Sequence, residues 1–233
     1  MSPLRMALAA AAILVASAAA QAATVSFGTT PASTSTLTTG LQTTNFTSFL
    51  TLPKFDTTLG SLTSVAIDFA GSVNSTIKFE SLDASAATVT GSAAATVTLT
   101  RPNNSVIAVA IPTNTRSATV AAFDGTIDFG GASGAVFSNV SGTLTVPTVT
   151  LSSTSDLALF SGNGSIILPV TGTGSSNVSG PGNVVSQINT QASGSAFVVY
   201  TYSVTPVSVP EPASMALLGA GLAGLGLLRR RHA

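Results

Sequence analysis

Apolar and polar side chains alternate with a period of two through most of the chain's interior, the pattern of half-buried strands. In "SVAIDF", residues 64–69, Val65, Ile67 and Phe69 share one face, and Ser64, Ala66 and Asp68 share the other. "STIKFES" continues with Ile77 and Phe79 inward and Lys78 and Glu80 toward solvent, and "ATVTLT" does so with Val97 and Leu99. "FVVYTYSV", residues 197–204, aligns Val198, Tyr200, Tyr202 and Val204. Further strands are expected over Ser105 to Ile111, Ala118 to Phe123, Thr143 to Leu151 and Ile166 to Val170. No internal stretch carries a capped apolar stripe at the 3.6-residue helical spacing.

Turn residues punctuate these runs at Gly71, Gly91, Arg101-Pro102-Asn103-Asn104, Asp124-Gly125, Ser161-Gly162-Asn163-Gly164 and Gly180-Pro181-Gly182. Thr29 to Thr44 and Thr171 to Ser195 are rich in Gly, Ser, Thr, Asn and Gln and read as loop. Thr and Val fill the strands because β-branched side chains fit a pleated surface. The expected fold is all-β, a single sandwich-like domain of short strands, flanked by an N-terminal signal peptide and a C-terminal hydrophobic helix. Unpaired strand edges on such a weakly charged sheet would favour self-association.

The two ends follow other rules. "MSPLRMALAAAAILVASAAAQAA" has a charge at Arg5, an apolar run from Met6 to about Ala16, and Ala20 and Ala22 in an A-x-A arrangement. That is the layout of a secretory signal peptide, with cleavage expected after Ala22 and a mature chain beginning at Ala23. The alternative is a buried Ala-rich helix, which the abrupt change to Thr/Ser-rich sequence after Ala23 disfavours. The signal calls for the secretion translocon and signal peptidase as partners. At the other end, Ala213 to Leu228 is uncharged and ends on Arg229, Arg230 and Arg231. As a helix rising about 1.5 Å per residue it reaches roughly 24 Å, short of a bilayer core of about 30 Å. The arginines belong on the cytoplasmic side, which leaves everything before Pro210 outside. Glu211 lies between Pro210 and Pro212 and is held extended, because each proline fixes its own φ and disfavours helix for the residue before it.

Composition narrows the interior. The chain has 45% apolar and only 7% charged residues, no Cys, no Trp and a single His. Between the terminal segments four basic residues stand against seven acidic ones, a net charge of −3. A mildly acidic domain is a poor match for a phosphate backbone, so no nucleic-acid partner is expected.

Pro210-Glu211-Pro212, a Leu/Ala/Gly-rich span and a terminal Arg cluster together resemble the PEP-CTERM sorting signal of Gram-negative bacteria. The resemblance implies export, transient anchoring in the inner membrane and processing by an exosortase, in organisms that make exopolysaccharide. The alternative is a tail anchor that is never cut. "LPKFDTTLGSLTSVAIDFAGSV", Leu52 to Val73, is similar to the opening of the choice-of-anchor E domain, with Phe55, Asp56, Leu59, Gly60 and Leu62 at its F-D-x-x-L-G-x-L positions. Tyr200-Thr201-Tyr202 is similar to that domain's closing strand. The expected organisation is a signal peptide over 1–22, a β-rich choice-of-anchor E-like ectodomain over 23–205 and the sorting signal over 206–233. Phe55 and Leu59 read as plugs closing one end of the sandwich, and Asp56 as a turn or cap residue.

Catalytic chemistry finds little material. The only His is His232 in the basic tail, so a Ser/His/Asp or Cys/His engine and a His- or Cys-based zinc site are excluded. Glycosidase chemistry needs two facing carboxyl groups, and Asp68 and Glu80 read as surface charges. "FDGTIDFGG", Phe123 to Gly131, offers Asp124 and Asp128 but lacks the D-x-D-x-D-G spacing of a calcium loop, and Asp-Gly is also a hairpin turn. Tyr200 and Tyr202 on one strand face would suit a small sugar platform, or ordinary core packing. No catalytic, cofactor or metal residues are assigned. The expectation is a non-enzymatic exported surface or extracellular-matrix protein associated with exopolysaccharide or biofilm. The alternative is a carbohydrate- or calcium-dependent adhesive module.

Overall fold

Two 21-residue strands, Ser61–Ser81 and Val184–Val204, pair antiparallel along nearly their whole length and form the spine of the domain. The computed structural model describes residues 26–31, 36–180 and 182–204, together with Gly219 and Leu222, both helical. In chain order the strands are β1 (Ser26–Pro31), β2 (Leu37–Thr38), β3 (Gln42–Thr43), β4 (Phe46–Pro53), β5 (Ser61–Ser81), β6 (Ala87–Thr100), β7 (Val106–Ala110), β8 (Thr113–Val120), β9 (Gly134–Thr145), β10 (Val149–Leu151), β11 (Ser165–Ser179) and β12 (Val184–Val204). Within residues 36–180 the described elements also include one short helix, α1 (Thr154–Phe160), and a 3-10 turn, Thr57–Leu59. Phe27–Val204 form one compact unit.

The strands build two antiparallel sheets. The seven-stranded sheet runs β1-β12-β5-β10, with β9 also on β5 and the short β2 and β3 also on β12. The five-stranded sheet runs β4-β11-β6-β7, with β8 also on β6. The sandwich predicted from the alternation is therefore the observed architecture. Its main core joins Val65, Ile67 and Phe69 of β5 and Val198 and Tyr200 of β12 to Leu50, Val97, Leu99, Leu168 and Val170 of the other sheet. A second, smaller core at the far end of β5 gathers Ile77, Phe79, Val89 and Val120. Between the two cores, along β5, sits a buried polar bridge. The Ser75 hydroxyl donates to Asn114 Oδ1 at 2.9 Å, and Asn114 Nδ2 donates to the Val140 carbonyl at 2.7 Å, tying β5, β8 and β9 together.

Several boundaries differ from the sequence expectation. Gly71 and Gly91 are not turns but lie inside β5 and β6. Gly71 is registered opposite Gly194 of β12, and the pair forms a dimple under the five-stranded sheet. A Cβ on Gly71 would stand 2.9 Å from Ala110 Cβ, and one on Gly194 would stand 2.7 Å from Val170 Cγ1. Glycine here permits close approach of the sheets instead of ending a strand. Thr171 to Ser195 is not a loop: it supplies the second half of β11 and the first half of β12. Its inward positions are small or sparse (Gly172, Val178, Val184, Ile188, Ala192, Gly194), so the alternation is present but carries little hydrophobic contrast. Within Thr29 to Thr44, residues 37–38 and 42–43 pair with β12. Ala118 to Phe123 is replaced by β8 over Thr113–Val120, and Thr143 to Leu151 is broken between β9 and β10. The predicted turns at Arg101–Asn104 and Ser161–Gly164 do connect elements, with Asn104, Gly162 and Gly164 at positive φ.

Candidate functional site

The residues that the sequence assigns to processing, Ala20, Ala22, Ala23, Pro210, Glu211, Pro212, Arg229, Arg230 and Arg231, lie outside the described residues. Among the described residues no helix is long and apolar enough to cross a membrane. The span expected over Ala213 to Leu228 falls outside them except at Gly219 and Leu222.

Within the sandwich, an open cleft of about 440 Å³ lies between the β6–β7 turn and α1, lined by Arg101, Asn103, Ser105, Ser153, Asp156 and Leu159. Ser153 caps α1: its hydroxyl accepts from the Asp156 backbone N–H at 3.1 Å and donates to Asp156 Oδ2 at 2.8 Å. Arg101 grips the same carboxylate with two N–H groups, Nε to Oδ1 at 2.6 Å and Nη2 to Oδ2 at 3.1 Å. The Arg101 hydrogen bonds hold the Asp156 carboxyl below its ordinary 3.8 against the desolvation that opposes them, with lesser help from the Ser153 hydroxyl and the Arg101 charge. The remaining guanidinium nitrogen Nη1 donates to the Val106 carbonyl and to Ser105 Oγ. All three nitrogens are thus committed to the fold, and the cleft's one cation serves to dock α1 on the β6–β7 turn.

The sequence reading missed both α1 and this ion pair. A signal was available: Ser153-x-x-Asp156 followed by an apolar run is a helix N-terminus pattern. Seven residues are too few for a periodic stripe, so the cap was the only local mark of the helix.

Tyr200 and Tyr202 do not form a sugar platform. Tyr200 is 3% exposed, and its hydroxyl donates to the Pro53 carbonyl at 2.8 Å. Burial raises its pKa above the ordinary 10.0. Phe55 packs edge-on to the Tyr200 ring at 5.9 Å and lies 5.1 Å from the Tyr202 ring. Phe55 is therefore the plug that the sequence suggested. Leu59 is not, being 45% exposed; the buried partner in that motif is Leu62. Asp56 caps the 3-10 turn, accepting from the Thr58 N–H at 2.9 Å and the Thr58 hydroxyl at 2.7 Å, and those bonds lower its pKa. At Gly60, with φ 146°, a Cβ would collide with the Ser203 carbonyl oxygen, so no side chain fits.

Glu80 corrects the sequence reading most sharply. It is 0% exposed, not a solvated surface charge. Its Oε1 accepts from the Ser133 hydroxyl at 2.5 Å, while Oε2 has no partner. The cause is the segment between β8 and β9, which folds back beside β5: the Ser81 N–H donates to the Ser133 carbonyl, and Lys78 Nζ stands 6.0 Å from the Phe129 ring centre. A cover supplied from 53 residues away leaves no trace in the local alternation.

The other carboxylates have local partners as well. Asp68 accepts from the Thr148 hydroxyl and Asp83 from the Asn183 N–H. In the Phe123–Gly131 loop, Asp124 accepts from the Thr126 N–H and Asp128 from the Gly130 N–H, the bonding of tight Asx turns. Among the described residues no three acidic or imidazole side chains converge as a metal site.

Residues 208–231 match the model of the PEP-CTERM protein-sorting motif. The chain carries a PEP-CTERM sorting signal. The match contains Pro210-Glu211-Pro212, the apolar span and all three terminal arginines in one continuous segment. A PEP-CTERM signal marks an exported protein, held in the membrane before processing and handed to an exosortase as its processing partner. No curated protein matches the chain.

Among solved structures, a viral particle of infectious bursal disease virus aligns at 13% identity over 88% of this chain and 47% of that one, with a TM-score of 0.16. The VP2 subviral particle of the same virus aligns at 13% identity over 86% and 48%, with a TM-score of 0.17. The chain spans about half the length of those chains, and superposition at this level carries no argument about fold or function.

Proposed function

We propose that this is a non-enzymatic exported protein of the cell surface or extracellular matrix, in which the β-sandwich is cargo and the two terminal segments are addresses. The observation that carries the reading is the PEP-CTERM match at 208–231, with its motif, span and basic tail in order at the C-terminal end of the given sequence. The N-terminal segment directs the chain through the secretion translocon, and signal peptidase cuts after Ala22. The span over Ala213 to Leu228 then stalls the chain in the inner membrane with its arginines inside. Pro210-Glu211-Pro212 presents extended backbone to the exosortase, by the logic of removable C-terminal anchors.

We assign the sandwich to the choice-of-anchor E type and place the processed protein in the exopolysaccharide or biofilm layer of a Gram-negative bacterium. Support for a structural role comes from the carboxylates: each is used by its own neighbourhood, and general acid/base work needs a carboxyl group directed at a substrate.

Fractionation of host cells with and without their exosortase tests the reading. The expected result is that the protein leaves the inner membrane only where the exosortase is present, and that a Glu211→Ala chain stays behind in both. Equal distribution in the two strains would overturn it.

A further inference from the structure

The side of the sandwich on which the two sheets meet at Thr44 and Asn45 is covered unevenly. The Thr44 N–H donates to the Thr190 carbonyl of β12, and the Asn45 N–H donates to the Gly172 carbonyl of β11, so the chain crosses from one sheet to the other at this point. Above the crossing, β4 pairs with β11 over residues 165–172. Below it, β11 continues to Ser179 with β6 on one flank. Thr44 lies over Gly174, and from Ser175 to Ser179 the other flank of β11 has no strand partner among the described residues. Val178 on this edge is half-buried and packs on the second core, as do Val184 and Ile188 of β12.

Exposed edges are templates for another strand, and proteins blunt them with charges, prolines or covers. Other edges here have such devices: β4 ends on Pro53-Lys54, β7 lies between Arg101 and Pro112, and β8 carries Arg116. Ser175–Ser179 itself carries neither charge nor proline, the following proline being Pro181 beyond the strand's end, and no charged residue occurs anywhere from Leu157 to Val204. Antiparallel pairing of a segment with its own copy sets like side chains close together about a two-fold axis. Any charge there would face itself, and its absence is the feature a self-pairing edge requires. Hydroxyl side chains, by contrast, pair well across strands. The same sheet already uses this contact: Thr88 Oγ1 and Thr119 Oγ1 lie 2.9 Å apart, as do Thr90 Oγ1 and Ser117 Oγ.

We propose that Ser175–Ser179 is a self-docking edge, at which two copies of this chain pair antiparallel and continue the five-stranded sheet from one molecule into the next. The partner is a second copy because the edge is self-complementary in charge and in hydrogen-bonding groups. Each copy adds a strand to the other and covers the half-buried Val178.

The chain contains no cysteine, so single substitutions give an unambiguous probe. In the protein purified from its host, Ser175→Cys, Ser176→Cys and Asn177→Cys are oxidised mildly and resolved by size without reductant. At least one of the three is expected to give a product of twice the chain mass. Thr96→Cys, exposed in the middle of the same sheet, is expected to remain single. Adding Ser176→Lys to Asn177→Cys places a charge opposite its own copy and is expected to abolish the cross-link while leaving the unfolding temperature unchanged. If that double variant fails to fold, light scattering of the unsubstituted protein decides, with a concentration-dependent dimer expected. The proposal is overturned by absence of a dimer at all three positions, by equal cross-linking through Thr96→Cys, by a product whose mass is not twice the chain, by persistence of the cross-link in folded Ser176→Lys, or by a monomer at all concentrations.

Discussion

At the scale of single residues, the polar groups sealed inside the sandwich are the most exacting. Glu80 keeps one carboxylate oxygen on the Ser133 hydroxyl and the other on nothing. Ser133→Ala would strip the remaining partner from a fully buried group, and the expected cost is about 1–3 kcal/mol, read as a lower denaturant midpoint. Replacement of an exposed serine such as Ser155 is expected to change the midpoint by no more than about 0.5 kcal/mol. Equal effects at the two positions would mean that Glu80 is not sealed as described. Tyr200 gives a second test. Burial raises its pKa in the folded state, so the neutral phenol contributes stability that is complete below the ordinary pKa of 10.0 and is lost as pH rises through the folded value. With only two tyrosines and no tryptophan in the chain, a Tyr202→Phe variant reports this group alone. Its phenolate absorbance is expected to appear only well above the ordinary range, together with unfolding. Titration near pH 10 with the fold intact would place Tyr200 at the surface and reopen the platform reading.

At the scale of elements, the legibility of each strand follows the contrast between its two faces. β5 was readable because Val65, Ile67, Phe69, Ile77 and Phe79 alternate with polar neighbours, and the same holds for the end of β12. The far halves of β11 and β12 obey the same alternation with Gly, Ser and Ala, whose burial changes hydropathy little, so they read as loop. Gly71 and Gly91 misled for a related reason: a glycine in sequence marks either a turn or a close approach, and only the facing sheet tells which. Gly194→Ala is expected to destabilise the domain by about 1–3 kcal/mol through overpacking against Val170, measured as a lower unfolding midpoint. Gly40→Ala, where a Cβ meets nothing, carries only the strain of its positive φ and is the comparison. A neutral Gly194→Ala would show that the sheets are not in contact there. The helix α1 was marked by its Ser153-x-x-Asp156 cap alone, and its tie to Arg101, which lies 55 residues away in sequence, was not marked at all.

At the scale of the whole molecule, the chain divides its tasks. Its middle builds a sandwich whose carboxylates, with Arg101, hold turns, a helix and a loop in place. Its C-terminal segment carries a PEP-CTERM address, which the sequence alone was sufficient to locate because motif, span and charge cluster occur in a fixed order. The function we propose is delivery, and delivery would leave a covalent record at both ends. The intact mass of the protein recovered from cells that make the exosortase is therefore the decisive measurement. The account predicts a chain that begins at Ala23 and has lost the segment following Pro210-Glu211-Pro212. A full-length mass, with the leader and the arginine tail both present in material taken from the cytosol, would contradict it.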